Sequence, residues 1–195
     1  PTWIPIRCPK STSLYSHTSI PFKIYIITFG GTDDSTIMNQ TFALDMNTYK
    51  WQNINIVGNK PATRYGHSAC LWGDDGVIIF GGKGISLSNE VLVLNLTSLR
   101  KVNFFASFDQ VFSALSGEYK ILQTKNAVTL HRMWHTAHIL KGNMYVFGGK
   151  SKQQETTNEL WKLDLSILLL PYVIISKSNF DLGKMSSAGY VPGIF

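Results

Sequence analysis

Three histidines lie within eight residues of one another, at His131, His135 and His138. Imidazole nitrogens are common ligands of Zn²⁺ and Cu²⁺, so a metal site is the first chemistry that this cluster suggests. His135 and His138 have the i, i+3 spacing of one helical face. The surrounding residues instead have the pattern of a β-strand, in which these two side chains point to opposite faces. We therefore predict no metal ligand here.

Other residue types that perform catalysis are not arranged in a known motif. The sequence has no G-x-S-x-G, P-loop or H-E-x-x-H motif. The adjacent aspartates at 33–34 and 74–75 lie in polar segments and are expected to form turns. Cys8 and Cys70 are far apart and form neither a C-x-x-C pair nor a disulfide framework. We predict no catalytic residue and no cofactor, and we expect a cytoplasmic protein.

Charge and hydropathy limit the classes of partner. The formal net charge is +6, from 18 Lys and Arg against 12 Asp and Glu, but the basic residues are scattered and never form a run of five. Nucleic-acid binding usually concentrates basic charge on one face, so it is not expected. The longest apolar run, 167–175, is interrupted by Pro171 and is much shorter than the ~20 residues of a membrane-spanning helix. Membrane insertion is not expected either. The chain begins with Pro1 rather than methionine, which is typical of a piece of a longer gene product.

A pattern of about 50 residues recurs three times. Each copy has a histidine, an apolar segment and a Phe-Gly-Gly sequence, and the histidine precedes the first glycine by 13, 14 and 13 residues. The copies are "LYSHTSIPFKIYIITFGG" (14–31), "RYGHSACLWGDDGVIIFGG" (64–82) and "RMWHTAHILKGNMYVFGG" (132–149). Three occurrences in the same order indicate an internal repeat.

A second apolar segment follows each glycine pair after a polar loop. These segments are "NQTFALD" (39–45), "NEVLVLN" (89–95) and "NELWKLD" (158–164). All of the apolar segments are rich in β-branched and aromatic residues, which is typical of short buried strands. Each unit is therefore predicted to be strand, tight turn, strand, Gly-Gly, loop, strand, turn, strand.

This pattern resembles the kelch repeat, which has a similar length and a double glycine. The family's unit starts with an arginine three residues before the histidine and ends with a tryptophan in the outer strand. Arg64 and Arg132 fill the arginine position, and Trp51 fills the tryptophan position in the first repeat. The sequence departs from the pattern at Leu14, and at the tryptophan position of the other two repeats. The resemblance implies an all-β fold, a partial β-propeller of about three four-stranded antiparallel kelch blades.

The resemblance and the spacings divide the chain into six segments. They are an N-terminal lead-in (1–11), blade one (12–57), blade two (61–106), an insertion (107–130), blade three (131–175) and an unassigned tail (176–195). The residues expected to be structural are His17, Gly30, Gly31, Trp51, His67, Gly81, Gly82, His135, Gly148 and Gly149. We expect each repeat histidine to bond to backbone near its glycine pair. Equivalent histidines would be rotated about the propeller axis and would not converge on one metal ion.

The function that the resemblance implies is that of a protein-interaction scaffold or adaptor. The loops at 32–38, 83–88 and 150–157 should emerge at one end of the blades, which we name the loop face, and loops on a rigid scaffold commonly carry binding. Candidate contact residues are Arg64, Tyr65, Arg132, Trp134, Phe108 and Phe112, the last two in a predicted amphipathic helix of the insertion. Alternatively, both arginines could bond to neighbouring loops.

Two further expectations follow from the resemblance. The expected partner is another protein, and further kelch repeats outside this chain are expected to complete the ring. The alternative function is that of a fragment of a kelch-type enzyme, such as a metal oxidoreductase resembling galactose oxidase.

Overall fold

A computed structural model of the chain describes residues 1–8, 13–97, 116–122 and 130–166. The described part of the chain contains twelve β-strands: β1 (Thr18–Phe22), β2 (Tyr25–Phe29), β3 (Thr41–Asp45), β4 (Lys50–Asn53), β5 (Asn55–Val57), β6 (Ser68–Trp72), β7 (Gly76–Phe80), β8 (Val91–Asn95), β9 (Ser116–Leu122), β10 (Thr136–Leu140), β11 (Asn143–Phe147) and β12 (Leu160–Asp164). In those residues, no helix has the length and apolar character needed to cross a membrane.

The strands form three sheets in chain order. Sheet one has the order β1-β2-β3-β4, sheet two β5-β9-β8-β7-β6, and sheet three β10-β11-β12. Strands that are neighbours in a sheet run antiparallel, apart from the parallel pair β5 and β9. The first strands of the sheets, which we call the inner strands, contact each other between neighbouring sheets: β1 contacts β6, and β6 contacts β10. The predicted fold class, an all-β partial β-propeller, is confirmed.

Short polar side chains form the turns that the sequence predicted after each third strand. Asp45 Oδ1 accepts a hydrogen bond from Asn47 N at 2.8 Å, and Asn95 Oδ1 accepts one from Thr97 N at 2.8 Å. Asp164 Oδ1 does the same with the backbone N–H two residues later, at 2.9 Å. A side chain that caps its own backbone in this way favours a turn over a longer strand. The third strand of every repeat therefore ends at the equivalent residue.

Two strands of sheet two lie outside the boundaries predicted for blade two, 61–106. The outer strand of sheet two is β9, which pairs with β8 and lies inside the expected insertion at 107–130. The short strand β5, expected in blade one, instead pairs with β9 at the edge of sheet two. The edge of a sheet carries unpaired N–H and C=O groups, and β5, in the chain that leaves sheet one, forms hydrogen bonds with them.

Phe108 and Phe112, and the helix expected around them, lie outside the described residues, as do the expected outer strand of blade three and the tail.

Two apolar layers fill the spaces between the sheets. Between sheets one and two, side chains such as Ile27 and Phe29 pack against Val77, Leu92 and Leu94. A second layer joins sheets two and three in the same way, with Ile78, Phe80, Val91, Val93, Met144 and Val146. Burying one side chain of this size contributes about 1.5–3 kcal/mol. Sheet two is therefore apolar on both faces, because it has a neighbour on each side.

One face of sheet three is open among the described residues. The phenylalanines before the first two glycine pairs are buried, with 2% of Phe29 and 5% of Phe80 exposed, whereas the equivalent Phe147 is 52% exposed. Val91 in sheet two is 2% exposed and its equivalent Leu160 is 66% exposed. The predicted packing of these phenylalanines between blades is therefore present at two of the three positions.

Candidate functional site

The loop face is formed where each glycine-pair loop meets the segment that enters the first strand of the same sheet. Isolated backbone bridges join Tyr15 to Thr32, Tyr65 to Lys83, and Met133 to Lys150. Each glycine-pair loop is also bridged across its own base. These hydrogen bonds hold three loops at the same end of the three sheets, as the alternating strand directions predicted.

The repeat histidines join neighbouring sheets. His67 Nε2 lies 2.8 Å from Thr18 Oγ1 of sheet one, and His135 Nε2 lies 2.8 Å from Ser68 Oγ of sheet two. His67 also packs edge-on against Phe29, with ring centroids 5.1 Å apart. These hydrogen bonds go to a hydroxyl of the preceding sheet, rather than to the backbone beside the histidine's own glycine pair. His67 and His135 therefore join neighbouring sheets.

Burial keeps both histidines neutral. Desolvation, with the nearby Arg64 guanidinium as the second cause, lowers the pKa of His67 to about 3. Desolvation, followed by the charge of Arg132, lowers the pKa of His135 to about 4. A protonated imidazole at either position would be a buried charge beside an arginine. The stacking of the sheets therefore requires the neutral ring.

Stability should fall between about pH 7 and about pH 5 because of these two rings. The unfolded chain binds protons with a histidine pKa of about 6.5, whereas the folded chain resists protonation until about pH 4 and about pH 3. Over this interval the wild type should lose about 2 kcal/mol per histidine. The variant His67→Gln/His135→Gln should lose much less. Urea unfolding at the two pH values measures the difference, and equal pH dependences would contradict the assignment.

The arginines that recur in repeats two and three are buried residues. Arg64 is 2% exposed, donates to Gly81 O at 3.1 Å, and pairs with Glu90 Oε2 at 2.5 Å. Arg132 is 6% exposed and forms the equivalent ion pair with Glu159. Neither arginine is a free surface anchor for a partner. Both arginines pair within their own sheet, whereas the alternative left open by the sequence had them bond to the loops of neighbouring blades.

An aromatic and cationic cluster lies at the surface of the loop face. Trp134 is 51% exposed, and its ring centroid is 6.2 Å from that of Tyr65. Lys150 Nζ lies 5.5 Å from the centroid of the Trp134 ring, in the geometry of a cation–π contact. Of the contact residues that the sequence suggested, the structure brings together Tyr65 and Trp134, and it buries the two arginines beneath them.

Trp134 has an unusual backbone for so large a residue. Its φ is 55°, in the left-handed region, and the equivalent residues Ser16 and Gly66 also have positive φ, at 53° and 64°. Trp134 N donates to Gly66 O at 2.7 Å, and Gly66 N donates to Ser16 O at 2.9 Å. These bonds hold all three positions in the same conformation around the loop face. The positive φ is therefore a feature of the repeat, and in the third sheet it is occupied by a half-exposed tryptophan.

The sequence analysis did not identify the residues that pair with the repeat histidines and arginines. The hydroxyl residues Thr18 and Ser68, which bond to the histidines, each follow a repeat histidine directly. Glu90 and Glu159, which pair with the arginines, each follow a repeat asparagine. The sequence shows that a hydroxyl residue recurs after the histidine and a glutamate after the asparagine. Only the stacked sheets show which residues they bond to.

The metal and redox chemistry of the alternative function has no assembled site among the described residues. Within that part of the chain, no group of three or more His, Cys, Asp or Glu could hold a metal ion. Cys70 is buried, its Sγ donates to Ala137 O at 3.1 Å, and burial raises the pKa of the thiol to about 11. A thiol with such a pKa is almost entirely protonated at neutral pH and is a poor nucleophile.

Comparison with known proteins gives several relatives, although no family model matches the chain. It is 28% identical over 141 residues to Kelch domain-containing protein 3 of Homo sapiens, an alignment that covers 70% of this chain and 32% of that protein. It is 31% identical over 75 residues to acyl-CoA-binding domain-containing protein 5 of Arabidopsis thaliana, covering 38% and 12%. The leucine-zipper-like transcriptional regulator 1 homolog of Drosophila melanogaster is 25% identical over 150 residues, covering 77% and 14%. The chain spans about a third of the length of the first of these relatives.

Proposed function

Because this chain belongs to the kelch-repeat family, we propose that it is a protein-interaction module whose loop face binds another protein. Relatives named for a kelch domain share the repeat over 70% of the chain. Kelch-repeat proteins typically serve as interaction modules. The sheets are stacked through buried apolar layers, and a rigid stack positions its loops without a large loss of conformational entropy on binding.

One observation carries this proposal: the cluster of Tyr65, Trp134 and Lys150 at the surface of the loop face. Tryptophan and tyrosine contribute most to many protein interfaces because each buries a large rigid surface and retains one hydrogen-bonding group. Trp134 is only about half covered within the chain. Its remaining surface is available to an apolar group of a partner, and Lys150 adds a positive charge at the edge of that contact.

Trp134→Gly should separate binding from stability. Glycine adopts a positive φ without strain, which offsets part of the packing lost with the half-covered ring, so the free energy of unfolding should fall by about 1–2 kcal/mol, while partner binding weakens at least about tenfold. Affinity purification with the tagged chain, quantified by mass spectrometry, identifies proteins retained by the wild type and lost by the variant. Ile24→Ser is the matched control, since Ile24 is 40% exposed at the opposite end of sheet one. Partners retained equally by wild type and Trp134→Gly would contradict the proposal.

Further kelch sheets outside these residues are part of the same proposal. Phe147 and Leu160 are more than half exposed, whereas their equivalents in the preceding sheets are covered by the following sheet. The greater length of the relatives supports additional repeats. The alternative function, a metal oxidoreductase resembling galactose oxidase, is supported by none of the named relatives.

A further inference from the structure

The first residues of the chain repeat the sequence pattern of the outer strand of sheet one. Trp51, in β4, is followed three residues later by Ile54 and sixteen residues later by the histidine that precedes sheet two. Trp3 is followed three residues later by Ile6 and fourteen residues later by the histidine that precedes sheet one. Segment 2–6 therefore has the pattern of an outer strand, and in this repeat an outer strand belongs to the sheet that comes before the next histidine.

Segment 2–6 pairs with no strand among the described residues. Trp3 is fully exposed, and Ile4 and Ile6 are 78% and 52% exposed. The equivalent of Ile6 is Ile54, which is 4% exposed in the apolar layer between sheets one and two. Three large apolar side chains exposed within four residues form a patch of the kind that marks an interaction site.

Among the described residues, sheet three is the sheet without an outer strand. Sheets one and two continue beyond their third strands with β4 and β9, whereas sheet three ends at β12. In sheet one, Trp51 lies opposite Leu44 of β3, and the residue of β12 equivalent to Leu44 is Leu163. A strand formed by segment 2–6 on the edge of β12 would therefore place Trp3 opposite Leu163.

Pro5 is compatible with this register. In sheet one, Ile54 N donates to Thr41 O at 2.8 Å, and hydrogen-bonded pairs alternate with non-hydrogen-bonded pairs along antiparallel strands. The N–H of the preceding residue, Asn53, is therefore directed away from β3. Pro5 is the equivalent of Asn53, so its lack of an N–H removes no hydrogen bond to the sheet, and an edge strand accepts proline at such a position.

Sheets one and three each have an open face among the described residues, and the two faces correspond to the two sides of an inter-sheet layer. On sheet three the open face carries Phe147 and Leu160, whose equivalents in sheet two are covered by sheet three. On sheet one the open face carries partly exposed apolar residues, whose equivalents in sheet two are at most 1% exposed against sheet one. The residues of sheet one are Ile26, Phe42 and Leu44, and their equivalents are Val77, Leu92 and Leu94.

The histidine–hydroxyl bond between sheets has its two halves at these same open faces. His67 and His135 each bond to the hydroxyl residue that follows the histidine of the preceding sheet. His17, the first repeat histidine, is exposed, and so is Thr136, the hydroxyl residue that follows the last repeat histidine. A sheet one stacked on a sheet three in the usual way would bring His17 to Thr136.

We propose that a second copy of this chain covers both open faces, so that two copies close head to tail into a ring of six sheets. Segment 2–6 of each copy is the outer strand of the other copy's sheet three, and sheet one of each copy packs on that sheet. Propellers close with about 4–8 sheets, so the three sheets of one copy are too few and six are sufficient. Two identical head-to-tail contacts form a closed dimer rather than a filament. This inference deepens the proposed function, since it names a second copy as the source of the further sheets.

Sedimentation equilibrium of the 195-residue chain tests the association. The mass should be twice the 21.8 kDa of one copy. Trp3→Ala should weaken the dimer at least about tenfold and leave the circular dichroism spectrum unchanged, because Trp3 is fully exposed within one copy. Gly148→Ala should also weaken the dimer, since the equivalent Cβ atoms on Gly30 and Gly81 would lie 2.6 Å from the backbone of the following sheet. Ile24→Ser, at a 40% exposed turn away from both open faces, is the control and should leave the dimer unchanged.

Cysteine cross-linking between two differently tagged chains tests the register. One chain carries Trp3→Cys and the other Leu163→Cys, both with Cys8→Ser, while Cys70 is buried and stays. Oxidation should join the two chains, because residues opposite each other in a non-hydrogen-bonded antiparallel pair have Cα atoms about 4.5 Å apart, within the span of a disulfide. Leu140→Cys in place of Leu163→Cys should give no cross-link, since Leu140 is exposed but lies on β10, two strands from the edge at β12.

Four results would each overturn the proposal. They are a monomeric mass for the wild type, assemblies larger than a dimer, no cross-link between the mixed chains, and equal cross-linking at the control position on β10. The capture of a protein that is lost in Trp134→Gly is measured separately, so the dimer and the binding of a partner by the loop face can fail independently.

Discussion

Gly81→Ala is expected to destabilise the chain severely, whereas Gly148→Ala should be far milder. Both glycines are the first of their pair and have nearly the same φ, 67° and 68°. A Cβ atom on Gly81 would lie 2.6 Å from Arg132 O and 3.1 Å from His135 Cε1 of the next sheet. Among the described residues, a Cβ atom on Gly148 would meet only Thr157 O, at 3.3 Å. The two variants therefore share the backbone strain and differ in the contact with a following sheet.

The free energy lost through backbone strain and that lost through a clash with the next sheet differ in size. A positive φ costs alanine about 1–2 kcal/mol, and this should be most of the loss in Gly148→Ala. Gly81→Ala must also push apart two sheets that are joined by the Gly82 N to Arg132 O hydrogen bond at 2.8 Å. We expect a total loss above about 4 kcal/mol, which is a large part of the stability of an ordinary domain. Chemical denaturation followed by circular dichroism measures both values, and similar losses in the two variants would contradict this account.

Glu90→Ala should cost about 3 kcal/mol, although more than a third of the glutamate side chain is exposed. The loss arises at Arg64, which is 2% exposed and would keep a buried positive charge without its carboxylate. The first repeat shows how the same position is filled without charge. Leu14 replaces the arginine there, and Gln40 replaces the glutamate. Gln40 is equivalent to Glu90 because the backbone carbonyl of each accepts from the first glycine of its pair.

The double variant Arg64→Leu/Glu90→Gln copies the first repeat and provides the control. It should be more stable than Glu90→Ala, because no buried charge remains without a partner. A double-mutant cycle that adds Arg64→Leu and Glu90→Gln separately should give a coupling energy above about 1 kcal/mol. The free energies of unfolding of the four proteins provide the measurement. If the effects of the two substitutions simply add, the ion pair does not have this role.

The arginines also illustrate where reasoning from the sequence was incomplete. Arginine beside an aromatic residue in a loop is common at interfaces, so Arg64, Arg132 and their neighbours were reasonable contact candidates. Glu90 and Glu159 each lie more than 25 residues along the chain from the arginine that they pair with. The sequence alone therefore did not indicate these ion pairs. Only Tyr65 and Trp134 of these candidates reach the surface cluster.

The outer strand of sheet two shows a similar limit. Its residues, Ser116–Leu122, alternate between buried and exposed at first, yet they follow a long segment that carries no repeat motif. The position of the family's tryptophan in repeat two predicted that this outer strand would begin about fifteen residues earlier along the chain. Loop length costs little free energy, so a strand can join its sheet from an unexpected distance along the chain.

The amino-acid sequence alone indicated three repeats, the first three strands of each and the turns that join them. Those features depend on backbone preferences and on alternation over a few residues: glycine at positive φ, aspartate or asparagine after a strand, and β-branched residues within it. The tertiary structure alone decided that His67 and His135 bond to hydroxyl residues of the preceding sheet, that the arginines are buried, and that one face of sheet three is open among the described residues. Those properties require groups from different sheets to meet, and the stacking of sheets sets their distances, burial and charge.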